Sequence, residues 1–360
     1  MTAATDRALR WLTRDDLGAG AGSAAGLLLV SPDAASVYPL SQDDRAAAAG
    51  LTRAALREAG VGERDRVVVA LAEPAGALWA AASADVAGAA ACVGPRGRMR
   101  LHHALSTLKA TTLVATPTGA MDFLSRLHLE FLLDPLDLGL RNIVLTGEIA
   151  SKNTLGHLAA EFGARVTEVL ASPFSGGALA WRAAEESPLL PLADGVLGLA
   201  ALTEDRTAAS GDGLAEFVVM PHAHSTLGDA VLRTGLVSGV SGAGFAAPAH
   251  TVGEHVLVRG VWLALPRVDK ALARIDGVTG WELAISRQGT LDTAVLTVTF
   301  GRPSLVGNPM WKGRIEQAVR ALTPVSVRVE VAQQVSESAT PGTVNDLRGH
   351  HLGRDRALIA

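Results

Sequence analysis

The chain has 360 residues, room for one large domain with a smaller companion or for two of medium size. Hydrophobic residues make up 48% and charged residues 19%, which suits a chain with a substantial buried core. The net charge is −4 and no basic block or stripe stands out, so nothing draws the chain to nucleic acid or anionic lipid.

A single cysteine, Cys92, excludes an internal disulfide and a cysteine-built zinc cage. The opening MTAATDRALRWLTRDDLG lacks a basic start followed by an apolar core and does not read as a secretory signal. The longest apolar runs, such as GVLGLAAL at 195–202, fall short of a membrane span, and the expected setting is cytoplasmic. The alanine and glycine bias looks like a high-GC bacterial coding habit and carries no mechanism.

In chain order, QDDRAAAAGLTRAALREAG (42–60) reads as a helix, acidic in its first turn and closed by glycine. RVVVALA (66–72) is a buried strand. Alanine-rich 76–91 reads as a helix, with CVGP ending a second strand. A helix over 99–110, a strand over 111–117, a helix over 119–133, a strand over 142–148 and a helix over 151–163 follow, leading into ARVTEVLA. Strands alternating with crossover helices imply a parallel, helix-covered sheet, whose ligands lie beyond the carboxyl ends of the strands. That puts TPTGA (116–120), TGEIA (146–150) and ASPFSGG (171–177) where a ligand is expected. From about 195 to 257 the pattern turns to strands, including AEFVVMP (215–221), and to a glycine-rich connection at 239–255. A unit in the order β-α-β-β-α-β then runs from HVLVRG (255–260) to SVRVEVA (326–332), an α+β module.

The stretches RDRVVVALAEPAGAL (64–78), VATPTGAMDFLSRL (114–127), NIVLTGEIAS (142–151), AEFVV (215–219), LRTGLVSG (232–239), VLVRGVWLALPRVDKAL (256–272) and VRVEVA (327–332) carry a family signal in their order. The series resembles the phenylacetate–CoA ligase-like branch of the acyl-adenylating (AMP-forming) ligase superfamily. The resemblance implies an α/β protein: a helix-covered, mainly parallel sheet in a large N-terminal domain, residues 1–256, and a small α+β C-terminal lid domain, residues 257–360. The site is then expected between them.

Departures from the family pattern cluster at the nucleotide. Family members have a Ser/Thr/Gly-rich loop ending in lysine that wraps the ATP phosphates. Here VSPDAASVYPL (30–40) has neither glycine nor lysine, and Asp33 repels a polyphosphate. In EVLASPFSGG (168–177) Leu170 stands for the family's adenine-positioning tyrosine, and Phe174 stands near its magnesium-binding glutamate. The ribose-binding aspartate is missing from LRTGLV, where Leu236 takes its place. In SATPGTVNDLRG (338–349) Thr343 falls at the position of the adenylation lysine. The chain also begins near the phosphate loop, so the resemblance implies a degenerate, N-terminally truncated relative. Charged partners of a transferring phosphate are each worth a few kcal/mol, and losing several together removes most of the rate.

Several residues carry alternative readings. Glu148 binds a ligand amine or hydroxyl, or only caps the helix that follows it near Ser151. Arg233 and Arg259 hold a carboxylate or phosphate by a bidentate pair, or form structural ion pairs. PRGRMR (95–100) is an anion site or a solvated surface loop. His222 and His224 share one strand face, as two metal ligands would, but no carboxylate completes a site. The adjacent pairs His102–His103 and His350–His351 read as surface positions. Trp79, Phe123, Phe131 and Phe174 line an aryl or acyl pocket, or are plain core. Ser172 and Ser175 flank Pro173 without the glycine elbow of a hydrolase nucleophile.

The expected ligand-binding set is therefore Trp79, Thr118, Gly119, Gly147, Ser172 and Phe174, with Glu148, Arg233 and Arg259 as the polar groups. The leading functional reading is a degenerate ligase homologue that has lost ATP-dependent adenylation. It then binds a small carboxylic acid, aryl compound or thioester, or a partner protein, as an accessory of a biosynthetic pathway, with a homodimer allowed. No cofactor is expected on that reading. The alternatives are ATP-independent acyl transfer, or an atypical AMP-forming ligase, which bring in CoA or ATP with magnesium.

Overall fold

The computed structural model describes residues 9–19, 21–209, 213–241 and 244–359. Its largest sheet has seven strands, in spatial order Leu190–Pro191, Ala178–Arg182, Arg165–Ala171, Asn142–Thr146, Thr112–Ala115, Arg66–Ala70 and Ala89–Cys92. The last five run parallel, and the two at the other edge are antiparallel. Alternating side chains explain the cover on both faces. Val68, Leu113, Ile143 and Leu145 pack with Leu101, Leu105, Phe123, Leu158 and Phe162, which come from the helices Arg98–Thr107, Pro117–Arg126 and Thr154–Phe162. Val67, Val69, Val114 and Val144 face the other way, onto Ala55, Leu56 and Trp79 of the helices Gln42–Glu58 and Ala75–Ala84. The first of these helices opens on a capping box between Ser41 and Asp44.

The alanine-rich segment corrects one expectation. The helix ends at Ala84, and Ala89–Cys92 is a strand in register with Arg66–Val69. Alanine favours the helix locally, but the ladder offered by the neighbouring strand decides the outcome. The helix expected over 119–133 also changes character, with a π-helical turn at Leu127–Phe131.

A second sheet is built around Val231–Ser241, flanked by Leu214–Val219 and then Leu197–Ala200, with Trp11–Leu12 running parallel to it on the other side. The connection expected over 239–255 is largely part of this sheet, because Gly244–Phe245 and His250–Thr251 also pair with Val231–Ser241.

The last unit carries a four-stranded sheet in the order Val327–Val331, Leu291–Phe300, Val278–Gln288 and Thr343–Asp346. Helices Leu265–Leu272 and Pro309–Arg320 place Val268, Leu272, Ile315 and Val319 on Leu283, Leu296 and Val298. The segment HVLVRG does not join this sheet. Its strand His255–Val258 instead forms a hairpin with Val261–Ala264, and Thr343–Asp346 takes the edge position.

Polar contacts tie this unit to the rest. Arg267 donates to the Asp33 carbonyl (3.1 Å), and Thr290 Oγ1 to Asp122 Oδ1 (3.1 Å). Arg287 reaches Ser151 Oγ, and Arg96 reaches the Pro324 carbonyl. His350 and His351 are not simple surface residues. The His350 carbonyl accepts from Thr251 N (2.7 Å), and burial lowers both imidazoles to about 4. Beyond them Arg356 donates to both oxygens of Glu216 (3.0 and 3.1 Å), a carboxylate that is 0% exposed and also accepts from Arg233 (2.8 Å) and Gly235 N (2.7 Å). Glu216→Gln leaves two guanidinium groups facing a neutral amide. The expected cost is about 3–5 kcal/mol, read as a lower urea midpoint of the full chain, with a smaller loss for Arg356→Gln.

Candidate functional site

The carboxyl ends of the parallel strands open into one cavity of about 570 Å³. Its floor is made by the loops after Ala70, Cys92, Ala115, Thr146 and Ala171. Two hairpins cover it, Leu27–Val30 with Val37–Leu40, and His255–Val258 with Val261–Ala264, and Pro324–Ser326 of the last unit closes one side. The second hairpin turns on Arg259 (φ 50°) and Gly260 (φ 72°), both left-handed, as a two-residue turn demands. Its tip lies on the strand ends: a Cβ at Gly260 would stand 3.2 Å from Thr116 Cγ2.

Trp79, Thr118, Gly119, Gly147, Glu148, Ser172, Phe174 and Arg259 all border this cavity. Most of them also have structural tasks. Trp79 is 1% exposed and donates its indole N–H to the Gly176 carbonyl (2.7 Å). Ser172 Oγ accepts from the backbone N–H groups of Phe174 and Ser175 (both 3.2 Å) and so shapes the loop. Arg259 Nε donates to the Asp292 carbonyl (2.5 Å). A Cβ on Gly119 would meet Thr116 Oγ1 at 2.8 Å, where Thr116 accepts from the Gly119 N–H.

Glu148 caps a helix, though not the one that follows it. Its carboxylate accepts from Thr118 N and Thr118 Oγ1 (both 3.0 Å), at the start of Pro117–Arg126. Burial raises its pKa above the usual carboxylate value, and the two Thr118 bonds oppose that shift only in part.

Arg233 corrects the expectation. It lies outside the cavity, in the second sheet, and its guanidinium bonds Glu216, Asp205 and the carbonyls of Ala201 and Glu204. The strand position that places it beside Leu232 turns it toward these acceptors. Of the arginines of 95–100, Arg96 and Arg100 are exposed, as a solvated surface loop has them, and Arg98 is half-buried. Arg98 pairs with Asp122, which Arg126 also approaches, and Arg100 bonds the Val93 carbonyl. His222 and His224 sit in a turn after Leu214–Val219. His222 bonds the Gly195 carbonyl, and His224 Nδ1 accepts from Thr226 and Leu227 N–H, so they share no strand face. Among the described residues no cluster of His, Cys, Asp and Glu is set to hold a metal.

The positions of the altered nucleotide contacts divide in two. Leu170, Phe174 and Leu236 all face the cavity, whereas Thr343 is an exposed strand residue outside it. Asp33 sits in the turn of the first hairpin, where its Oδ1 accepts from Ser31 Oγ (2.5 Å) and Ala35 N (3.3 Å). Phe174 forms part of the wall and leaves the cavity open, stacked against Tyr38 at 6.0 Å between centroids.

Among the charged residues at the cavity that escaped the sequence reading, Arg14 stands out. Arg14, 9% exposed, follows the short strand Trp11–Leu12 and lies over the rings of Phe174 (5.2 Å) and Trp262 (5.0 Å). Burial lowers its guanidinium to about 10, with Asp33 and Asp15 opposing the shift. No periodic pattern or motif marks it, because its environment is assembled from segments far apart in sequence.

No family model matches the chain, and no curated protein does. Solved structures do match. The model superposes on 2-hydroxyisobutyryl-CoA ligase, in complex with 2-HIB-AMP and CoA in the thioesterification state, with a TM-score of 0.77 at 16% identity, covering 94% of this chain and 80% of that one. The fold is that of the AMP-forming acyl-CoA ligases. The same ligase in its postadenylation state gives a TM-score of 0.57 over the same 94% of this chain, at 17% identity and 80% of its own length. An amide bond synthetase from Marinactinospora thermotolerans gives 0.65 at 15% identity, covering 85% of this chain and 65% of its own. This ligase fold accounts for the cavity's place between the large sheet and the last unit.

The Glu148 environment sets a pH dependence. Its folded pKa lies above the unfolded one, so wild type loses stability relative to a non-titrating variant as pH climbs from the ordinary carboxylate range to the raised value. Urea melts of wild type and Glu148→Gln across pH 4 to 7 should move in favour of the variant with rising pH. The opposite slope would show that the Thr118 bonds outweigh burial.

Proposed function

We propose that this chain is a ligase-fold protein that has left ATP-dependent adenylation and uses the retained cleft to bind a small organic molecule, as an accessory of a biosynthetic pathway. The observation that carries the reading is the cavity itself. It remains open at about 570 Å³, inside the range of ordinary ligand sites, while Leu170, Phe174 and Leu236 line it where the family resemblance implies nucleotide-binding polar groups. A nucleotide placed against those side chains finds no partner for its ribose hydroxyls or for a magnesium ion, and desolvating them unpaired is costly. An aryl or acyl group meets the same surface favourably, at roughly 25 cal/mol for each Å² of apolar area removed from water.

A second reading is favoured by the comparison of states. The better superposition on the thioesterification form, which holds CoA, than on the postadenylation form of the same ligase favours an arrangement in which a working enzyme could accept an acyl group as a thioester. In such a reaction the acyl carbon passes to an acceptor nucleophile and the CoA thiol leaves.

Calorimetry with Mg-ATP separates these readings from a functional ligase. The expected dissociation constant is weaker than about 1 mM, with no carboxylate-dependent exchange of pyrophosphate into ATP. Low-micromolar binding or measurable exchange would overturn the loss of adenylation. Thermal shifts with aryl carboxylates and aryl-CoA thioesters, followed by assay of ATP-independent release of free CoA thiol, then distinguish binding from acyl transfer.

A further inference from the structure

The cavity is apolar over most of its wall, yet a buried cation stands in it with most of its donors unused. A guanidinium has five N–H donors in one plane. Among the described residues, the single hydrogen bond from Arg14 is Nη2 to the Pro173 carbonyl, at 3.0 Å. Its guanidinium carbon lies over the rings of Phe174 and Trp262, and the residue borders the cavity. Two carboxylates lie nearby. Asp33 Oδ1 is held by Ser31 and Ala35, whereas its buried Oδ2 has no hydrogen-bond partner among the described residues and faces Arg267 only at 3.7 Å. Asp15 is directed toward His255 Nε2, at 3.8 Å. Both compensate the charge of Arg14 from a distance, but neither forms an ion pair with it within hydrogen-bonding reach. Direct partners for its remaining N–H donors come from what enters the cavity.

We propose that Arg14 is the anion-recognising residue of this cavity, and that the ligand is a small amphiphile with one oxyanion head, a carboxylate or a phosphate monoester, on a flat apolar body. The head bonds the free edge of Arg14 in the paired geometry that planar guanidinium and oxyanion groups share. The body lies on Tyr38, Leu170, Phe174 and Leu236, all of which border the same space. Glu148 does not compete for the head, because a carboxyl group offers it no cation and both its oxygens already accept from Thr118. The assignment rests on the small-molecule reading above and specifies the chemistry of what enters.

Three probes on one scaffold test it by titration calorimetry on the full chain: 2-naphthylacetate, 2-naphthyl phosphate and 2-naphthaleneethanol. Wild type should bind at least one anion about tenfold or more tightly than the alcohol, consistent with a charge-assisted pair. The two anions separate a carboxylate head from a phosphate. In Arg14→Gln that preference should disappear while affinity for the alcohol stays as in wild type, which also reports that the variant is folded. Arg14→Lys serves if the glutamine variant does not fold: it keeps the charge but not the planar fork, and should retain only part of the preference. Equal binding of all three probes by wild type, or an anion preference that survives in Arg14→Gln or is undiminished in Arg14→Lys, overturns the Arg14 assignment alone. Binding of none of the three overturns the small-molecule reading together with it.

Discussion

The wholly buried carboxylate of Glu216 is the interaction on which the arrangement of the chain depends. It lies in the second sheet, receives Arg233 from the adjacent strand and Arg356 from the far end of the sequence, and takes a backbone N–H from Gly235. A carboxylate carried into the interior is tolerated only when its lone pairs are filled. Here the filling joins elements 140 residues apart. The same demand explains Arg233. Its charge is kept to satisfy Glu216 and Asp205, which leaves it unavailable to a ligand.

The cavity follows a complementary logic. Five parallel strands end on one edge of the large sheet, and their loops must turn back into helices there, so a depression forms whatever the side chains are. What the side chains decide is its electrostatic character. Thr118 and the first turn of Pro117–Arg126 absorb the charge of Glu148, and Arg98 with Arg126 absorbs that of Asp122. With Leu170, Phe174 and Leu236 in the wall, this part of the cavity is suited to hydrocarbon.

Much of the fold was legible in the sequence because its signals are local. The β-branched runs at 66–70 and 142–146 and the helix with its capping box at Ser41 need no distant information. A second strand ending near Cys92 was legible, but its start was not: Ala89–Ala91 favour a helix in isolation and become strand only beside Arg66–Val68. The site divides the same way. The loops at 116–119, 147–148 and 172–174 could be placed from the strand-helix rhythm alone. Arg14 could not, because nothing within RWLTRDD announces that Phe174 and Trp262 will stand against it. Arg233 misled for the converse reason, since a motif position fixes a strand but not which neighbours its side chain finds.

The contacts between the last unit and the rest bear on what the protein can do. In a ligase that alternates between two half-reactions, a small unit that swings has to release its contacts at little cost. Here release would uncover Glu216, take Thr290 from Asp122, and separate Arg267 from the hairpin that roofs the cavity. Each is a charged or charge-assisted contact, and the Glu216 carboxylate is fully buried although Arg356 is partly exposed, so losing a partner there is the most expensive of the three. On the proposal that adenylation has been lost, the second arrangement is not needed, and bonds that would hinder an alternating enzyme can accumulate. The Arg356–Glu216 contact and the apolar wall at Leu170, Phe174 and Leu236 are then two consequences of one change. When the first half-reaction goes, both the groups that stabilise its charges and the mobility that serves it are free to be replaced by packing.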